Sequence, residues 1–93
     1  MTVTKENKVF LEGLIEYYIS EAQSYREMAQ EYSLKINSVP DTAFGIIVGC
    51  IYSSFLQTYS NQKLTPTVQD VQEFTEIIMM KSNAIMDSIK KQK

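Results

Sequence analysis

The chain has no histidine and no tryptophan, and only one cysteine, two prolines and three glycines among its 93 residues. Without histidine there is no Ser-His or Cys-His nucleophilic pair, no imidazole-ligated zinc or haem, no Glu-x-x-His di-metal carboxylate site and no imidazole acid–base catalysis. Cys50 has no partner for an internal disulfide. Its neighbours Val48, Gly49 and Ile51 make it a small buried hydrophobe rather than a reactive thiol. Nine basic residues against eleven acidic ones give a net charge of −2, the opposite of a nucleic-acid binder's footprint. The one basic cluster, Lys90, Lys91 and Lys93, falls where a helix C-terminus favours positive charge.

Long hydrophobic runs are also missing. The longest apolar stretch, Ala43 to Tyr52, reaches only Leu56 if Ser53 and Ser54 are included, short of the roughly 20 residues a membrane span needs. The polar N-terminus lacks the apolar core of a signal peptide, so the expected location is the cytoplasm, with no membrane association. With 44% hydrophobic and 22% charged residues, the composition is that of one globular domain over residues 1–93.

Hydrophobic periodicity then predicts an all-α chain. Leu11, Ile15, Tyr18, Ala22, Tyr25, Ala29, Tyr32 and Ile36 alternate four- and three-residue steps, a coiled-coil-like seam on a helix over 5–36. Phe10, Leu14, Tyr17 and Met28 widen that apolar side, which predicts contact with more than one neighbour. Glu12 with Glu16 and Glu27 with Glu31 turn away from it as a solvated acidic face. Pro40 ends the first helix and opens a second over 39–58, with Ser38 or Asp41 as N-cap and Phe44, Ile47, Val48, Ile51, Phe55 and Tyr59 on its core face. Thr65-Pro66 predicts the start of a third helix over 66–90, with Val71, Phe74, Ile78, Ile85 and Ile89 on a core face that Ile77, Met79, Ala84 and Met86 broaden. Short connections make the expected architecture an antiparallel three-helix bundle.

The second helix is the informative one. Between Thr42 and Ser53 it carries no charged or amide side chain, and opposite its core face it presents Gly45, Gly49 and Ser53 at four-residue steps, flanked by Ile46, Tyr52 and Leu56. A helix apolar on all sides needs cover that a chain this short can hardly supply, and a symmetric partner is the commonest source. The expectation is a homodimer through this helix, or association with a helical protein partner.

Other candidates are weaker. Tyr18, Tyr25 and Tyr32 recur every seven residues and either pack a seam or, with Met28, Met79, Met80 and Met86, line a site for a small apolar ligand. Arg26, the only arginine, has no carboxylate at its own helical neighbour positions, so it pairs with an acid on another helix or holds an anionic group of a partner or ligand. Among the acidic pairs only Glu73-x-x-Glu76 has the three-residue spacing used by helical magnesium-dependent pyrophosphohydrolases, and no second pair completes it. No catalytic residue, metal ligand or cofactor is assigned. The expected function is a non-enzymatic interaction or assembly module, with an apolar-ligand carrier as the alternative.

Overall fold

The computed structural model describes residues 2–91 and is built of four α-helices: α1 (Lys5–Ser20), α2 (Ala22–Gln30), α3 (Val39–Asn61) and α4 (Val68–Lys90), with a 3-10 turn at Ser33–Lys35 between α2 and α3. No strand occurs among the described residues. The helix count therefore corrects the expected three. The first predicted helix is divided at Glu21, whose φ of −104° and ψ of 12° leave helical geometry. Beside the break the Ser20 hydroxyl donates to the Tyr17 carbonyl at 2.6 Å, the kind of local back-bonding that bends helices. The same predicted helix also stops early, at Gln30. Its last turn is closed by tighter bonds, Glu31 N–H donating to Met28 O at 3.3 Å and Tyr32 N–H to Ala29 O at 3.0 Å, and past the 3-10 turn Ile36 is already extended.

The other ends are set by side-chain caps. Ser38 caps α3, its hydroxyl accepting from the Asp41 amide at 3.1 Å, and Pro40 sits in the first turn, where it needs no N–H partner. At α4 the cap is Thr67 rather than Thr65. Thr67 Oγ1 accepts from the Asp70 amide at 3.0 Å while Asp70 Oδ2 accepts from the Thr67 amide at 2.9 Å, a reciprocal box that a start at Pro66 would lack. The C-terminus of α3 runs past the expected Thr58 to Asn61 and closes in a Schellman arrangement: Leu64 N–H donates to Tyr59 O and Lys63 N–H to Ser60 O, both at 2.9 Å. Lys63 occupies the left-handed position of that turn at φ 60°, where glycine is the usual residue.

One core runs through the four helices. α3 supplies Ala43, Ile47, Ile51, Phe55 and Tyr59, every fourth residue; α1 and α2 supply Leu11, Ile15, Ala22 and Ala29; α4 supplies Phe74, Ile77, Ile78, Ile85 and Ile89. Each fully buried isoleucine contributes about 1.5–3 kcal/mol. Phe55 is the aromatic centre, with its ring 4.9 Å from Phe74 and 5.0 Å from Tyr59. Ala22 and Ala29 let α2 lie close against its neighbours, α3 and α4. The inward register agrees with expectation at the core positions above, while Leu14, Tyr18, Tyr25, Ile36, Phe44, Val48, Val71 and Met86 are half-buried, and Phe10, Tyr17, Met28, Tyr32, Met79 and Ala84, expected on the apolar side, are exposed.

The bundle is slender, about 40 × 23 × 19 Å, with a radius of gyration of 14.1 Å against roughly 12.3 Å for a compact domain of this length. Its accessible surface of 6279 Å² likewise exceeds the roughly 5,500 Å² typical of a folded monomer of this mass.

The Lys63 turn gives a test of this local geometry. Lys63→Gly is expected to raise stability by about 1 kcal/mol, by removing the cost of a Cβ at positive φ. The urea midpoint reports it, and a lowered midpoint would mean that Lys63 does not hold that conformation in solution.

Candidate functional site

The predicted interface residues lie along α3, but they divide into two kinds. Gly45, Gly49 and Ser53 form an exposed strip on the side opposite Ile47, Ile51 and Phe55, and Gln57 continues it. Ile46, Tyr52 and Leu56 are half-buried shoulders. Tyr52 leans toward α4, its ring 5.0 Å from that of Phe74. Between these helices runs an open groove of about 380 Å³, floored by Gly45, Val48 and Gly49 and walled by Tyr52, Val71, Phe74 and Thr75. A Cβ placed on Gly45 or Gly49 would meet no atom within 4 Å. The glycines do not serve close packing within the chain.

α3 as folded is also longer than its apolar run. Its most apolar 18-residue stretch has mean hydropathy 1.5, and only 22% of that stretch is buried in the fold; by length and composition alone the helix could cross a membrane. No charged residue stands between Asp41 and Lys63.

The other predicted contacts are not brought together as one site. Tyr18 and Tyr25 are half-buried with ring centroids 5.4 Å apart, and Tyr17 meets Tyr18 edge-on at 5.2 Å, whereas Tyr32 lies beyond the end of α2 and is exposed. Burial first, and then the neighbouring Tyr25 phenol, pushes the Tyr18 pKa up. Met79 and Met80 face solvent, at 67% and 82% exposure, so they do not gather with the tyrosines around a common space. Among the described residues no three His, Cys, Asp or Glu side chains form a metal-binding group. Lys90 and Lys91 end α4 as expected, and Lys93 lies outside the described residues.

Among the described residues the partner of Arg26 is a carbonyl: Nη1 donates to the Ile89 carbonyl at 3.1 Å, in the last turn of α4. Gln23 joins it, with Nε2 donating to the carbonyls of Ser88, Ile89 and Lys91 at 2.9, 3.3 and 3.0 Å. A cation and an amide thus cover carbonyls that a helix C-terminus leaves unpaired, and the positive charge opposes the negative end of its dipole. Both side chains lie on α2, just past the break at Glu21. Gln23 carries no sequence signal beyond being polar at the edge of the seam.

At the opposite end of the bundle a second polar group escapes sequence reading. Val3 is buried although it precedes α1, and the Thr2 and Val3 amides donate to Glu73 Oε1 at 2.9 and 3.1 Å. Asn7 and Gln62 exchange side-chain hydrogen bonds at 3.2 and 2.9 Å, tying α1 to the end of α3. Asn7 did leave a clue, since it stands four residues before Leu11 on the seam, where a polar residue needs a partner. Glu73 Oε2 and Asp70 Oδ1 are buried without a hydrogen bond of good geometry. The Thr2 side chain and then the Thr67 amide, against the cost of burial, hold Asp70 below the usual carboxylate range; the Val3 amide does the same for Glu73, again against burial, with Thr2 and Lys8 adding to it.

The chain matches no family model, and comparison with curated proteins and with solved structures found no significant match.

Two outcomes follow from these polar ends. Arg26→Ala is expected to cost about 1 kcal/mol and to speed amide exchange selectively in the last turns of α4; uniform exchange across the helix would remove the capping role. Because the folded-state pKa values of Asp70 and Glu73 lie below their unfolded values, their ionised forms add stability above the ordinary carboxylate range. That stability is lost as pH falls through the folded values. Urea midpoints between about pH 7 and pH 3 should therefore fall less steeply for Glu73→Gln than for the parent chain, and parallel curves would show that Glu73 does not anchor the N-terminal segment.

Proposed function

We propose that the chain is a non-enzymatic assembly module that forms a homodimer through the outer strip of α3. The observation that carries this reading is the open space over Gly45 and Gly49. Glycine inside a helix costs about 1 kcal/mol relative to alanine, and here two such residues, four apart on an apolar helix, bring no close contact inside the chain. Close approach by an external helix gives that cost a return, since a strip of small residues between larger shoulders lets two backbones come together. Tyr52 and Leu56 on one shoulder and Ile46 on the other supply apolar area around it.

The surroundings support the same reading. A soluble monomer seldom leaves an apolar helix face of this length uncovered, and the molecule's surface is larger than its mass requires. A lipid-facing helix would be served by large side chains along its outermost line, where α3 instead has its smallest. Exposed backbone at two glycines fits another helix better than acyl chains.

Gly49→Leu tests this. The new side chain has open space in the isolated chain and better helix propensity than glycine, so the expected product is a well-folded helical monomer. Light scattering on parent and variant, with circular dichroism as control, reads the outcome. A parent that is monomeric on its own, or a variant that keeps the dimer mass, would place association elsewhere.

A further inference from the structure

The uncharged surface is wider than α3. On α4, Val71 and Thr75 wall the groove beside Gly45 and Gly49, and Val68, Met79, Ser82 and Met86 continue the same flank at helical spacing with no charge among them. Successive residues turn by about 100°, so Glu73, Glu76 and Asp87 fall on the other flank of α4. There Glu73 bonds the N-terminal segment. On α1, Phe10, Leu14 and Tyr17 share the flank of Asn7, which is bonded to Gln62 at the end of α3, and Glu6, one turn before Phe10, is the charge at the end of that flank. α3 is thus the middle of a face that takes one flank of α1 and one of α4 and carries no charge between Asp41 and Lys63 along α3 itself. Its length is ~34 Å and its width about two interhelix spacings. That is on the order of 600 Å² per copy, the lower bound of a stable protein interface.

Resting on the dimer reading above, we propose that the occupant of this face is a second copy in antiparallel orientation, with the two-fold axis crossing α3 near Ile51. The charges at its two ends decide the direction. Asp41 lies in the first turn of α3 and Lys63 just past its last, with nothing charged between. An antiparallel copy brings each Asp41 toward the partner's Lys63 end and opposes the helix dipoles. A parallel copy sets Asp41 against Asp41 and Lys63 against Lys63. Exposed charge pairs of this kind are worth at most about 1 kcal/mol each, enough to choose an orientation although the apolar face supplies the affinity.

The antiparallel register also suits the strip itself. Gly45, Gly49, Ser53 and Gln57 are symmetric about residue 51, so Gly49 meets Ser53 of the second copy and Gly45 meets its Gln57. Each wing then meets its own equivalent, α4 on α4 with Val71 toward Met79, and α1 on α1 around Tyr17. Between its charged ends, the strip's contacts in this arrangement are between uncharged side chains.

Cysteine cross-linking in a Cys50→Ser background reads the orientation directly. Gly45→Cys and Gln57→Cys proteins should each stay uncross-linked on oxidation and form a disulfide-linked dimer when mixed. Twelve residues place like positions ~18 Å apart in the antiparallel pair, beyond the ~7 Å Cα limit for a disulfide. Cross-linking of either protein with itself would establish a parallel pair and overturn the proposal. As a measurement that leaves the strip intact, a spin label at Asn61→Cys should give a distance of ~30 Å between copies, against ~10 Å between the helices of a parallel pair. A dimer mass with neither signature would also overturn it. A parent monomeric by light scattering would instead remove the dimer reading on which it rests.

Discussion

Everything in this molecule is arranged around a helix that carries no charge from Thr42 to Gln62. Such a helix cannot keep a solvated face, so it is placed where the most neighbours can reach it: α1, α2 and α4 all pack against α3. One side receives a core of residues spaced by four, from Ala43 to Tyr59. Three antiparallel rods still leave one side of the middle helix open. Closing it would take a further full-length rod, and the described residues form none. The composition of α3 thus fixes both the architecture and what that architecture leaves unfinished.

The break at Glu21 shows how a short chain finishes the rest. A straight first helix would carry its seam past α4's end without covering it. Divided, it turns Gln23 and Arg26 onto the terminal carbonyls of α4 and sets Ala22 and Ala29 against the core. At the other end Val3, Asn7, Gln62 and Glu73 play the matching part, joining the N-terminal segment, α1, α3 and α4 with hydrogen bonds. The polar contacts between helices gather at the two ends, because the polar side chains in the middle of α3 either bond within their own helix, as Thr58 does to Ser54 O, or lie on its outer side, as Ser53 and Gln57 do. Directional bonds at the ends fix the axial register that a uniformly apolar interface leaves loosely defined.

That division explains what the sequence discloses. Periodicity depends on burial along a helix, so the inward residues of α3 and α4 are legible from spacing alone. Ser38 is legible as a cap because Pro40 marks the turn. Boundaries depend on competition between nearby residues, and there the reading slips. Thr65 and Thr67 are both competent caps, and only the reciprocal partner Asp70 decides between them. The seam's regular spacing through Tyr32 and Ile36 outlasts the helix itself, since spacing records which face a residue occupies and not whether the backbone remains hydrogen-bonded. Arg26 was visible as an arginine without an acid but not as a carbonyl cap, because that role depends on a helix distant in sequence. Gly45, Gly49 and Ser53 were legible as one side of α3, and Gln57, which continues them, was not. The strip's flanks on α1 and α4 were not, as they become one surface only when three helices are set side by side.

The strip also separates two demands that a single core usually serves together. Alanine at positions 45 and 49 would make α3 a better helix and would clash with nothing in the chain. Folding of one copy therefore gives no reason for glycine at either place, whereas Ala22 and Ala29, which are buried, are small because the fold needs them small. Residue size is set by the monomer on the inner side of the bundle and is left free by it on the outer side. It is on that free side that the smallest residues of the chain are gathered in register, between shoulders that are apolar and uncharged. The outer face of α1 shows the contrast, for there the exposed positions include Lys5, Glu6, Glu12 and Glu16.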